Sequence, residues 1–294
     1  MLMARFFSYF SQQQQNTITR RKFLLGTYVD ISVEYDAKQC RYPQPILQII
    51  DLAFNKIAHV HKLMSYQDVT SELNLINSQI SNGQLENTIS KELAEVLSFS
   101  LYLSKLSDGA FDITASTTAS SPEKIANWQN ICLTPLSPSS SQLTQQYQLY
   151  CHAQVKLNLG GVAKGYAVDQ AFELIMAYAN ILPIDNVSVN AGGDLRSTDY
   201  ATTIVHSWGE YATSLTRQHQ AIATTSNCYR QEVIDTHSND LQIISHPISV
   251  TAMYCMFADA LTKVVANAPN IAKRVLGQLN AKAYITKQGG TTPL

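Results

Sequence analysis

The sequence predicts an α+β fold, a central, mostly antiparallel sheet with helices packed on it. Three observations point there. Hydrophobic residues make up 45 % of the 294-residue chain and charged residues only 15 %, enough apolar material for a sizeable core. Helical and strand periodicities alternate along the chain, and several strand-like segments follow one another with only turns between them. Glycine pairs punctuate the chain where apolar runs end, at Gly160-Gly161 and Gly192-Gly193. On the element pattern alone an α/β arrangement remains the alternative.

Taken in order, residues 1–20, including Gln12 to Gln15, read as a flexible lead-in, and 21–294 as one domain. Phe23 to Val33 reads as a first strand, in which Gly26 permits a bulge or a close backbone approach. After Pro43 and Pro45, apolar residues at helical spacing predict one long helix over Ile46 to Leu63. Ser71 suits the N-cap of a short following turn, and Asn87 to Lys105 reads as a second helix stopped by Gly109. Thr117 to Ser140, rich in Ser, Thr and Pro, reads as a loop around one short helix near Glu123 to Gln129.

Val155 to Leu159 then reads as a short strand and Lys164 to Tyr178 as a helix, with Asn186 to Asn190 a strand closed by Ala191-Gly192-Gly193-Asp194. Further strands are expected at Thr203 to Trp208, Ala221 to Thr225 and Ser249 to Tyr254. A helix is expected at Ala258 to Ala266, and a last helix and edge strand within Ile271 to Ile285.

Composition removes several function classes. Lys plus Arg (21) nearly balances Asp plus Glu (22), so no cationic excess exists to neutralise nucleic-acid phosphates. Five cysteines occur without a CxxC or CxxH pair, which argues against a disulfide framework and a thiolate zinc site. No apolar run approaches the roughly 20 residues of a bilayer-spanning helix. The segment MLMARFFSYF carries neither a small-residue cleavage site nor a lipobox, so the expectation is no signal peptide, with the compartment open.

The most chemistry-bearing segment is LNLGGVAKGYAVDQA, Leu157 to Ala171. A glycine turn before a helix puts unpaired backbone N–H groups and Lys164 where an anionic phosphate can be met; a tight packing turn with a solvent-facing lysine is the competing reading. VSVNAGGDLR repeats the glycine turn and holds Asp194 at a strand end. Asp112 in FDIT and Asp259 in an apolar helix are hard oxygen donors of the kind Mg²⁺ takes, or else a turn residue and a favourable helix-terminal charge. Met64 and Tyr66 can stack on a flat ring or pack in the core.

Together, LLGTYVDISV, MSYQDVTSELNLIN, FDIT, LNLGGVAKGYAVDQA, VSVNAGGDLR and SVTAMYCMFADAL, in this order over most of the chain, resemble the ApbE family of FAD:protein FMN transferases. The resemblance implies an ApbE-like fold and an enzyme that uses Mg²⁺ to split the pyrophosphate of FAD. FMN would move onto a Ser or Thr hydroxyl of a partner protein carrying a D-G-x-[ST]-[GS]-A-[ST]-like segment, with release of AMP. Some members hydrolyse FAD instead. It also implies a flavin or adenine pocket at Met64, Ser65 and Tyr66 supported by Glu72. Asp112, Gly161, Lys164 and Asp194 would surround the nucleotide, and Asp259 with the backbone oxygen of Ala163 would face the metal.

The chain departs from the family pattern at informative places. Asn158 stands where an aspartate is usual, and Lys263 where a threonine usually follows the metal aspartate, making Asp259 and Lys263 an i,i+4 pair. The family's H-I-I-D-P-like segment is EVIDT here, so Glu232 replaces the histidine, Asp235 is kept and Thr236 replaces the proline. Glu232, Asp235 and neighbouring His237 are therefore the candidate acid–base groups. These departures keep a second reading in view, a flavin-nucleotide-binding protein or FAD pyrophosphatase with eroded catalytic and metal positions.

Overall fold

The computed structural model describes residues 15–115, 126–136, 145–199, 202–207, 211–216, 220–225, 233–234, 236, 241–242, 244, 246–287 and 290–294. Its centre is an eight-stranded sheet, and every strand pairing among the described residues is antiparallel. In spatial order it comprises β1 (Gln15–Leu24), β2 (Thr27–Asp36), β6 (Ile184–Ala191), β7 (Asp194–Ser197), β10 (Ala221–Thr225), β13 (Ile248–Ala252), β14 (Lys282–Lys287) and β15 (Gly290–Pro293). The expected α+β class with a mostly antiparallel sheet is what the chain adopts.

The first predicted strand is instead a hairpin. Leu25 (φ 56°) and Gly26 (φ 72°) both take the left-handed conformation that a two-residue turn between antiparallel strands requires. β1 already begins at Gln15, inside the stretch read as lead-in. On β2, Val29, Ile31, Val33 and Tyr35 alternate into the core, the period-2 signature of a half-buried strand.

Helices cover the apolar face of this sheet. α1 (Gln44–Met64) buries Ile46, Ile49, Ile50, Ala53, Phe54, Ile57, Val60 and Met64, the i, i+3, i+4 stripe visible in its sequence. It packs on α4 (Ala163–Ala177), which lies against β6 and beside α5 (Cys255–Asn267); α5 in turn rests on β10 and β13. α6 (Pro269–Gln278) follows and packs on α5 and β14.

Ser71 caps not a short turn but the ten-residue α2 (Glu72–Ser81), its hydroxyl accepting from the Asn74 N–H at 3.1 Å. The stretch read as one helix from Asn87 divides. Glu86–Ile89 form β3, and Ser90 then caps α3 (Lys91–Leu106). β3 joins β5 (Tyr147–Cys151) and β4 (Ile131–Pro135) in a small separate sheet. Two further two-stranded sheets are β8 (Thr202–Ser207) with β9 (Tyr211–Thr216), and β11 (Val233–Ile234) with β12 (Leu241–Gln242).

Val155 to Leu159 is not a strand. The segment is buried at Leu157 and Leu159, but its backbone bonds go to side chains and loops instead of a ladder. The Asn77 amide clamps Leu157 on both sides, donating to its C=O at 2.9 Å and accepting from its N–H at 2.7 Å, while the Asn158 N–H donates to Ile113 O at 2.7 Å. Apolar alternation marks burial, and the hydrogen bonds that decide between strand and loop came from a residue eighty positions away. No helix is long and apolar enough to cross a membrane among the described residues.

Candidate functional site

The site grows from the two glycine turns. The β6–β7 hairpin closes through Gly192 (φ 61°) and Gly193 (φ 104°), a left-handed geometry that favours glycine, with the Gly193 N–H donating to Asn190 Oδ1 at 3.0 Å. This fixes Asp194 as the first residue of β7, paired with Ala191, with its side chain almost completely buried. The other turn, Gly160-Gly161, precedes α4, whose second residue is Lys164. Lys164 Nζ is in direct contact with Asp194 Oδ2, so the two turns meet through one ion pair.

A second ion pair lies beside the first. Asp259 sits one turn into α5, not at its start, and is fully buried. Its Oδ1 accepts from Lys263 Nζ at 2.8 Å, and its Oδ2 faces the Gly165 N–H at 3.3 Å. Lys263 Nζ also reaches Thr262 Oγ1 at 3.0 Å. The helices carrying these pairs are pressed together at Gly165, where a Cβ would fall 2.4 Å from Cys255 O and 2.7 Å from Met256 Cα. That contact is backbone on backbone and allows no side chain.

Burial and mutual repulsion set the electrostatics. Burial first, then the charge of Asp259, push the Asp194 carboxyl up to about 6, against the pull of Lys164 and Lys263. Burial also works against ionisation of Asp259, yet the fields of Lys164 and Lys263 and the Gly165 N–H outweigh it and hold that carboxyl below the ordinary range. Lys164 is likewise desolvated, but Asp194 and Asp259 more than compensate and raise its affinity for its proton. Lys164 is therefore an ammonium ion held between two buried carboxylates.

From this cluster the candidate site continues along the 155–161 segment. A Cβ on Gly161 would lie 3.4 Å from Lys263 Cε and 3.5 Å from the Phe111 ring. Next to Phe111, Asp112 Oδ1 accepts from the Thr114 N–H and hydroxyl, both at 2.8 Å, and burial raises its carboxyl above the usual value despite those bonds. At the other end Lys156 Nζ stands 5.0 Å from the centre of the Tyr66 ring. Ser65 and Tyr66 are braced by the Asn74 amide, which donates to the C=O of both.

Not every expected residue faces this cleft. Met64 is buried in the core stripe of α1. The Glu72 carboxylate is spent on the start of α3, accepting from the Ser90 N–H at 2.7 Å and the Ser90 hydroxyl at 2.6 Å. Ala163 opens α4 with its N–H bonded to Leu159 O at 2.9 Å. Glu232, Asp235 and His237 lie outside the described residues.

Three residues that position the site were not singled out in the sequence. Asn77 holds the 155–161 segment, and Gly165 sets the approach of α4 to α5. Asp169 caps α5 from the side, accepting from the Cys255 and Met256 N–H groups at 2.9 Å each and pairing with Arg196 at 3.0 Å. The only signals were the third glycine of GGVAKG and the lone carboxylate of YAVDQA.

The donor set does not fit a resident Mg²⁺. That ion needs several oxygen ligands in near-octahedral array. Here both oxygens of Asp259 are engaged, Asp194 is held by Lys164, and among the described residues no three His, Cys, Asp or Glu converge. The positions do suit an anionic ligand with a flat ring, through two ammonium groups and the Tyr66 face.

The model of the ApbE family matches residues 25–285. An FAD:protein FMN transferase of Chlamydia pneumoniae is 25 % identical over 286 residues, covering 86 % of this chain and 85 % of its own. The solved structure of the flavin transferase ApbE from Vibrio cholerae superposes with a TM-score of 0.69 at 17 % identity, covering 95 % of this chain and 97 % of that one. The apo form of the Pseudomonas stutzeri flavinyl transferase ApbE gives 0.70 at 15 %, covering 95 % of each chain. At these identities the structural likeness is one of fold.

Proposed function

The chain belongs to the ApbE family, and from that premise we propose that it binds FAD in the cleft between the Gly160 and Gly192 turns and transfers FMN to a Ser or Thr hydroxyl of a protein substrate, releasing AMP. The observation that carries this reading is the Lys164–Asp194 pair, which joins the two glycine turns and holds a cation between them. FAD is the substrate, and the acceptor is a protein with an exposed hydroxyl in a segment of the kind noted above.

In this reading the acceptor oxygen attacks the FMN-side phosphorus, the phosphorus–oxygen bond to the AMP moiety breaks, and AMP leaves with the bridging oxygen. The hydroxyl proton passes to a base, for which Glu232, Asp235 and His237 are the candidates. A phosphoryl-type transition state is stabilised mainly by fixed positive charge around its oxygens. Lys164 and Lys263 would supply it, each held rigid by a buried carboxylate so that little reorganisation is needed. Asp194 acts by orienting Lys164, and Tyr66 with Lys156 offers a stacking face for a ring. Asp112 and Gly161 line the nucleotide between these ends.

The test is to incubate the full chain with FAD and an acceptor protein carrying the D-G-x-[ST]-[GS]-A-[ST]-like segment, then read covalent flavin fluorescence on a denaturing gel and AMP in solution. Labelled acceptor with equimolar AMP is expected. AMP without labelling would instead fit an FAD pyrophosphatase.

A second reading has its own observation. Lys263 occupies one oxygen of Asp259, the residue that the resemblance assigns to the metal. A protein that binds flavin nucleotide without cleaving it is favoured by that lock, and binding without AMP is its signature.

A further inference from the structure

Two buried carboxylates converge at the crossing of α4 and α5, and each already holds a cation. Asp194 is paired with Lys164, and Asp259 with Lys263, whose ammonium also touches Thr262 Oγ1. The second oxygen of Asp259 is taken by the Gly165 N–H. Lys263 is mostly buried, with 18 % of its side chain exposed, and its stem runs past Gly161, where a Cβ would lie 3.4 Å from Lys263 Cε. The cluster is neutral as it stands. A divalent ion entering it would meet no spare carboxylate oxygen on Asp259 and would face a fixed positive charge under 3 Å from the nearest one.

We propose that Lys263 is a built-in counter-cation that occupies the cation position of Asp259 and excludes divalent metal from it. The role in FAD binding rests on the function proposed above, but the exclusion of metal does not. Lys263 has the reach to do this because residues i and i+4 of a helix are surface neighbours, and its Nζ lies 2.8 Å from Asp259 Oδ1. One consequence is that the charge on Asp259 is balanced before any nucleotide arrives. Another is that removing the ammonium without disturbing the backbone should leave an ionised, buried carboxylate that lacks its cation.

The experiment is a titration of the full chain with Mn²⁺ alone, read by electron paramagnetic resonance of the free ion. Wild type is compared with Lys263→Thr and Lys263→Ala, all verified as folded by circular dichroism. Wild type should show no stoichiometric site at millimolar Mn²⁺. Loss of a unit charge beside the carboxylate should give at least one of the two variants a single site, with affinity higher by about a hundredfold or more. One tight Mn²⁺ in wild type would overturn the proposal, as would folded variants that both gain nothing. If both variants fail to fold, the wild-type titration decides by itself. FAD is then titrated into wild type in a separate series. Failure to bind there would remove the flavin reading while leaving the Mn²⁺ result to judge Lys263.

Discussion

Lys164 does two things at once, and they separate by substitution. It neutralises Asp194 and presents charge to the cleft while a quarter of its side chain stays exposed. Lys164→Met leaves Asp194 buried without a partner. The expected cost in stability is about 3 kcal/mol, the order of an orphaned buried charge, because Asp194 is almost completely buried. FAD affinity should fall about tenfold or more, since a fixed cation is lost. Urea unfolding and a fluorescence titration check the two effects, and unchanged FAD affinity would detach Lys164 from the nucleotide.

Asp169 makes a pH-dependent contribution of definite sign. Burial pushes its carboxyl up to about 6, against the pull of Arg196 and two backbone N–H groups. Between about pH 4 and 6 the native state therefore keeps a proton that the unfolded chain has released. The contribution of Asp169 to stability falls as pH rises through that window and is level above it. The gap in unfolding free energy between wild type and Asp169→Asn should therefore shrink from pH 4 to 6. A gap that widens with pH would mean that the carboxyl is not raised.

At the scale of elements, the site depends on how closely α4 approaches α5 and on where the 155–161 segment runs. Gly165→Ala forces a methyl into backbone, and no side chain can move aside to admit it. Overpacking commonly costs about 1–3 kcal/mol, and this contact belongs at or above the upper end. The thermal midpoint should drop and the nucleotide site should fail with it; a neutral substitution would mean that the helices can separate freely. Asn77→Ala removes both bonds to Leu157 and leaves a buried N–H and C=O unpaired, worth about 2 kcal/mol or more. A weaker FAD site is expected alongside the lower urea midpoint, because Lys156 and Gly161 lie on the released segment.

Element by element, legibility followed the range of the forces involved. α1, α4, β2 and β13 were readable because their apolar periodicity is local. The β1–β2 hairpin was missed because Leu25, a residue that rarely takes positive φ, carries half of the turn. The β3–α3 boundary was missed because Ile89 continues the helical spacing of Leu93, Val96 and Leu97, and the decisive Ser90 cap is reinforced by Glu72 from another helix. Lys164, Asp194, Asp259 and Lys263 could be picked out by motif. The Asp259–Lys263 pair was legible as an i,i+4 spacing, but the Lys164–Asp194 pair and the parts of Asn77 and Asp169 come from contacts twenty to ninety residues apart that no local spacing encodes.

For the whole molecule, an antiparallel sheet of eight strands with α1, α4, α5 and α6 packed on it brings the candidate groups together where the helices meet the middle of the sheet. There the β6–β7 turn meets the start of α4 and the second turn of α5. Family membership and this meeting point together make a flavin nucleotide the ligand to try first. The most direct measurement is a calorimetric titration of the flavin-free full chain with FAD, run beside Lys164→Met, with AMP assayed in the same samples. Saturable one-to-one binding by wild type, at least about tenfold weaker in the variant, is the expected result. No binding by wild type, or equal binding by both proteins, would contradict a nucleotide cleft built on the Lys164–Asp194 pair.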